Sequence, residues 1–142
     1  MNRKTLQSLA KERVKDAKAL LGRKRWAAAY YLAGYAVECG LKACVLRHID
    51  ATGMIFKEAK YLKRLAGCWT HDLVELVELA GLTATLGQAT QADPQFYTNW
   101  VQVKDWSETS RYATVGEQQP RELFAAITDN PHGVLRWLQG HW

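Results

Sequence analysis

The chain has 142 residues, 48% of them hydrophobic, which suits one domain (1–142) around a single sizeable core and leaves no room for a second. No run reaches the roughly 18 apolar residues of a membrane span, and the opening MNRKTLQSLAKERVKDAKALL is a charged amphipathic repeat without an apolar signal core, so a cytoplasmic protein with no membrane partner is expected. The formal charge of +5 is uneven: residues 1–64 hold 15 Lys/Arg against 5 Asp/Glu and residues 65–142 hold 4 against 9, a split that suits a polyanion partner or a merely solvated first helix.

Leu6, Leu9, Ala10, Val14, Ala17 and Leu21 recur at steps of three and four, which predicts an amphipathic helix over about 3–21, stopped by Gly22. A second helix is expected from about Trp26 to Ile49. On it Ala29, Ala33, Ala36, Gly40 and Ala43 form one line where backbones can approach closely, and Tyr31, Tyr35, Glu38 and Lys42 form another. Glu38 and Lys42 are an i, i+4 pair. An acid amid so many small and aromatic residues nevertheless calls for a buried partner across the bundle.

Between 54 and 70 the pattern loosens, and Lys57 to Ala66 is expected as a short basic helix with Tyr61, Leu62 and Leu65 facing inward. Thr70 is the expected N-cap of a third main helix, Leu73 to Ala80, with His71 on its first turn. A short helix over Leu82 to Ala89 follows. Asp93-Pro94 then reads as an N-cap and a first-turn proline opening a fourth helix that runs through Trp106. After a loop from Ser107 to Gln118, Pro120 opens a last helix that Asn130-Pro131 must kink or divide. No segment alternates like a strand. The expected fold is therefore all-α, an up-and-down bundle of four to five main helices.

Cys39, Cys44 and Cys68 are odd in number, and the first two point away from each other on one helix, so buried thiols are expected rather than a disulfide. Four scattered histidines and no Cys-x-x-Cys give no zinc site, and neither metal nor cofactor is expected. Trp100, Trp106 and Trp137 sit in helical apolar patterns and are expected in the core.

The pattern A-x-Y-x-x-x-Y-A-x-E-x-x-L-K-A, carried by Ala29, Tyr31, Tyr35, Ala36, Glu38, Leu41, Lys42 and Ala43, resembles the second helix of HEPN (higher eukaryotes and prokaryotes nucleotide-binding) domains. Asp16-Ala17 with Leu20-Leu21, then His71-Asp72-Leu73, then WSETSRY (Trp106–Tyr112), then Gly133 to Leu138 fall in that family's order, so the resemblance covers nearly the whole chain. It implies a HEPN-like bundle, often a homodimer, that binds RNA or a nucleotide. It also implies a role in defence, stress response or a toxin–antitoxin pair, sometimes beside a nucleotidyltransferase or antitoxin chain.

The same resemblance makes Arg111 and Tyr112 the leading functional candidates, since a planar guanidinium suits phosphate. Many HEPN ribonucleases carry an R-x4-6-H motif near this point; no histidine follows Arg111 at that range. Arg64 with His71 and Arg136 with His141 meet the spacing, but the first pair spans a glycine break and His141 is expected to fray. Three readings are left. The favoured one is binding of RNA or nucleotide in a basic cleft between the second and fourth helices, with Tyr31, Tyr35, Lys42, Arg64 and Tyr112 as ligand-binding residues. The second is metal-independent RNA cleavage, with Arg111 stabilising charge, His71 moving protons and Glu38 fixing Arg111 in place. The third is a non-catalytic module for dimerisation and protein docking, in which Arg111 is buried.

Overall fold

A computed structural model describes all residues from Met1 to Trp142. It contains nine α-helices and no strand: α1 (Arg3–Gly22), α2 (Trp26–Thr52), α3 (Met54–Lys57), α4 (Ala59–Leu65), α5 (Leu73–Leu79), α6 (Thr83–Ala92), α7 (Pro94–Lys104), α8 (Gln118–Thr128) and α9 (Val134–Gln139). Two 3-10 turns, Ala66–Trp69 and Glu108–Tyr112, sit between them.

Helix α1 starts at Asn2, whose side chain accepts the Thr5 amide at 2.9 Å, and buries Leu6, Ala10, Ala17 and Leu21 along one stripe. Three residues then fold α2 back along α1. The tight reversal puts Lys24 in the left-handed region, at φ 57°.

Helix α2 is the axis of the molecule. Twelve of its 27 residues are buried, Ala29, Ala33, Ala36, Gly40 and Ala43 among them, because α1, α5, α8, α9 and the Glu108–Tyr112 turn all pack on it. Small side chains are what permit neighbours on every side of one cylinder. Around it Leu41, Leu73, Leu76, Leu79, Leu123, Ile127 and Leu138 are wholly buried. Helix α7 begins as expected, with Asp93 accepting the Phe96 amide at 3.1 Å and Pro94 in the first turn.

Several boundaries differ from the sequence expectation. The basic stretch after α2 is two helices parted at Glu58 rather than one. Within it Tyr61 is buried, its hydroxyl donating to the Leu79 carbonyl at 2.9 Å, and Leu65 is half-buried, whereas Leu62 is exposed. The cap of α5 is Asp72, which accepts the amides of Val74 and Glu75, while Thr70 accepts the amide of Asp72. An aspartate one residue before the helix offers a charged acceptor at shorter reach than the threonine. Helix α7 ends at Lys104, and the Asn130-Pro131 step divides the last helix into α8 and α9. His141 does not fray: its ring lies 4.8 Å from that of Trp137, and burial pushes its pKa below the ordinary value, with Arg47 adding to the effect.

Candidate functional site

Residues Tyr31, Gly34, Tyr35, Glu38 and Lys42 recur at three and four along α2 and face the segment 105–112 and the strand of chain before α5. The indole of Trp106 lies face-on against Gly34, so closely that a Cβ there would stand 2.2 Å from three of its ring atoms. Tyr31 stacks on Tyr35 at 6.0 Å and 5° and meets the Trp106 ring at 6.0 Å. This aromatic seam fixes where the chain leaves α7. Beyond it Ser107 caps the 3-10 turn by accepting the Thr109 amide at 3.3 Å. The indole N–H of Trp106 and the hydroxyl of Ser110 are buried without a protein hydrogen-bond partner, so packing rather than polar bonding seats this turn.

Glu38 is 1% exposed and central to a charged relay. Lys42 Nζ donates to its Oε1 at 2.8 Å, and His71 Nδ1 stands 3.0 Å from both carboxylate oxygens. The other ring nitrogen, Nε2, is 2.9 Å from Glu108 Oε2. The imidazole thus stands between two carboxylates, one at each nitrogen. Glu38 thus has the buried partner that its position demands, but the partner is not Arg111. Both oxygens are taken by Lys42, one turn along α2, and by His71. The latter precedes α5 instead of sitting on its first turn, which frees its ring to reach inward.

The groove beside this relay measures about 560 Å³ and is lined by residues 70–72 and 104–109. Asp72, Asp105 and Glu108 outnumber Lys104 there, and the groove where Tyr30 of α2 faces Tyr97, Thr98, Val101 and Gln102 of α7 has Asp105 as its one charged residue, so neither is the basic cleft expected.

Arg111 faces the other way. It is exposed, forms no ion pair, and stacks on Tyr112 with its Cζ 4.8 Å from the ring centroid. Tyr112 first, and then Glu108 and Tyr31, strengthen its protonated form. It lines a groove of about 490 Å³ with Lys24, Arg25, Trp26, Ala27, Ala28 and Tyr31. No carboxylate lines this groove, and Lys24, Arg25 and Arg111 have no ion-pair partner. Trp26 is half-buried, and its other neighbour is the Arg121 guanidinium at 5.1 Å. The expectations above missed Lys24, Arg25 and Trp26, although Arg23-Lys24-Arg25-Trp26, a basic run ending on an aromatic residue, was a legible signal.

The remaining candidates lie apart from both grooves. Arg64 sits on α4 with a guanidinium nitrogen 3.5 Å from Glu78, so Arg64 and His71 point to different partners. Tyr35 belongs to the aromatic seam rather than to either groove. Trp100 and Trp106 are buried, and Trp137 is half-buried against Phe96 at 5.7 Å. Burial pushes the Cys39 thiol up to about 11 and that of Cys44 to about 12, which makes both unreactive. No group of three or more His, Cys, Asp or Glu side chains is placed to hold a metal ion.

Among known proteins, no family model, no curated protein and no solved structure matches the chain.

Proposed function

We propose that this protein binds RNA, or a nucleotide, in the groove between the start of α2 and the Glu108–Tyr112 turn. One observation carries the reading: Lys24, Arg25 and Arg111 converge on a groove with an aromatic wall of Trp26 and Tyr31 and with no carboxylate. Three cations lining one groove that no carboxylate lines repel one another. A phosphate backbone relieves that repulsion and releases its own condensed counterions. A half-buried tryptophan and a tyrosine offer faces on which a base can stack. The similarity of the Tyr31-to-Ala43 pattern and of WSETSRY to HEPN domains supports the same ligand class and, as part of the proposal, a small HEPN-like binding protein in defence, stress response or a toxin–antitoxin pair.

Titration of labelled single-stranded RNA at low salt tests the reading. Replacing Lys24, Arg25 and Arg111 by glutamine should weaken binding and reduce the slope of log K against log salt by about 2, at roughly 0.7 per phosphate contact. Absence of RNA and nucleotide binding by the unaltered protein would reject it.

A ribonuclease reading rests on one further observation: Glu108, which meets His71 Nε2, lies three residues before Arg111 on the same 3-10 turn. Glu108 thus joins His71 to the turn that carries Arg111, although the His71 and Arg111 side chains line different grooves. With both ring nitrogens engaged, His71 has no free position for a substrate proton, so cleavage requires Glu108 to swing aside. Cleavage in the presence of a chelator, lost in His71→Gln and accelerated in Glu108→Gln, would favour the enzyme over the binding protein.

A further inference from the structure

The segment from α3 to the Ala66–Trp69 turn carries bulky apolar side chains outward. Phe56 is 95% exposed, Trp69 83% and Leu62 54%. Leu62, Ala66 and Trp69 are spaced four and three apart on the nearly continuous helical run that starts at Ala59, so they share a face, and Ala66 is exposed as well. Lys57, Lys60 and Lys63 are exposed around it and have no ion-pair partner; Arg64 leans on Glu78, and Glu58 is the segment's own acid. The segment is not a fraying tail. Tyr61 ties it to the Leu79 carbonyl, and Met54, Ile55 and Leu65 pack against the core.

Water is a poor environment for a phenylalanine, a tryptophan and a leucine exposed on one short segment, and apolar side chains left outward in this way mark a contact surface. Charge selects among its occupants. A second copy placed two-fold on this face would bring the three lysines against themselves. Stacked bases would cover Phe56 and Trp69 but leave Leu62 wet. A folded acidic partner anchors by inserting side chains into pockets, and no residue of 54–69 lines the grooves beside Arg111, Tyr30, His48 or His71. Outward aromatic and aliphatic tips on a segment that also exposes three unpaired lysines fit a planar anionic lipid surface, where the rings enter the headgroup boundary and the lysines meet lipid charge. No helix is long and apolar enough to cross a membrane.

We propose that residues 54–69 are a peripheral docking face for an anionic bilayer, independent of the Arg111 groove. Co-sedimentation of the full chain with vesicles of mixed phosphatidylserine and phosphatidylcholine, beside vesicles of phosphatidylcholine alone, tests it. Binding should be confined to the anionic vesicles. It should fall on the order of a hundredfold in Lys57→Gln/Lys60→Gln/Lys63→Gln, at about fivefold per lysine, and by at least about tenfold in Phe56→Ser and in Trp69→Ser. All five positions are exposed, so thermal unfolding of each variant should match that of the parent and certify the fold. Equal binding to both vesicle types, no binding to either, or binding indifferent to these substitutions overturns the proposal. It is equally overturned if the variants lose single-stranded RNA binding instead, or if they convert a dimer of the parent to a monomer, since the face would then belong to RNA or to a second copy.

Discussion

The two grooves on either side of the Glu108–Tyr112 turn hold opposite kinds of charge. On one side the buried acid is matched: Glu38 meets Lys42 and His71, and His71 meets Glu108. On the other, Lys24, Arg25 and Arg111 share a space with no acid at all. A buried acid must be matched inside the protein because desolvation makes an unmatched one prohibitive, so the first arrangement is what folding alone demands. Exposed cations need no match to fold. Their convergence is explained by a ligand better than by stability.

If that contrast is right, the largest effect on folding comes from the matched side. Glu38→Ala strands Lys42 and His71 in a half-buried setting and should cost about 3 kcal/mol in chemical denaturation, the lower end for a broken buried pair because both partners reach solvent. A loss under about 1 kcal/mol would mean that solvent already shares the carboxylate, and the contrast would lose its first half.

Gly34→Ala tests what separates the grooves. A methyl group there meets the buried Trp106 ring, which has to move and carry the start of the 107–112 segment with it. About 2–3 kcal/mol of destabilisation is expected from overpacking, together with weakened RNA binding as Arg111 shifts. Unchanged stability would show that the indole has room to slide.

On the unmatched side, a cation can be removed at no cost to the fold. Lys24 has a positive φ, so Lys24→Gly should leave stability unchanged or raise it by up to about 1 kcal/mol while lowering RNA affinity. Parallel loss of stability and of binding would instead make Lys24 a structural residue.

The smallest effect belongs to a third carboxylate–histidine contact, Asp93 with His132 at 2.6 Å, which lies at the surface. The hydrogen bond with His132, and then the Phe96 amide, holds Asp93 below its ordinary 3.8, and the bond with Asp93 holds His132 above 6.5. The aspartate's contribution is present above pH 3.8 and is lost as pH falls through its lowered value. The histidine's is complete below pH 6.5 and is lost as pH rises through its raised value. The stability difference between parent and His132→Gln should therefore be greatest between about pH 4 and 6.5 and shrink above, as unfolding across pH would reveal. A difference constant through neutral pH would remove the ion pair from the account.

Local chemistry was readable in the sequence. Periodicity marked α1, α2 and α5, Asp93-Pro94 marked the start of α7, and Asn130-Pro131 marked the break before α9, because spacing, capping and proline geometry act within a few residues. An acid among small and aromatic residues on α2 likewise announced a buried partner for Glu38. Which residue would answer it was settled only in three dimensions. His71 and Arg111 were both available by charge, and the packing of Trp106 on Gly34 turned Arg111 outward while Asp72, by capping α5, left His71 free to turn in. The exposure of Leu62, expected inside, and the docking of His141, expected to fray, have the same origin: a side chain's burial depends on where neighbouring helices lie, and that follows from long-range packing rather than from local spacing.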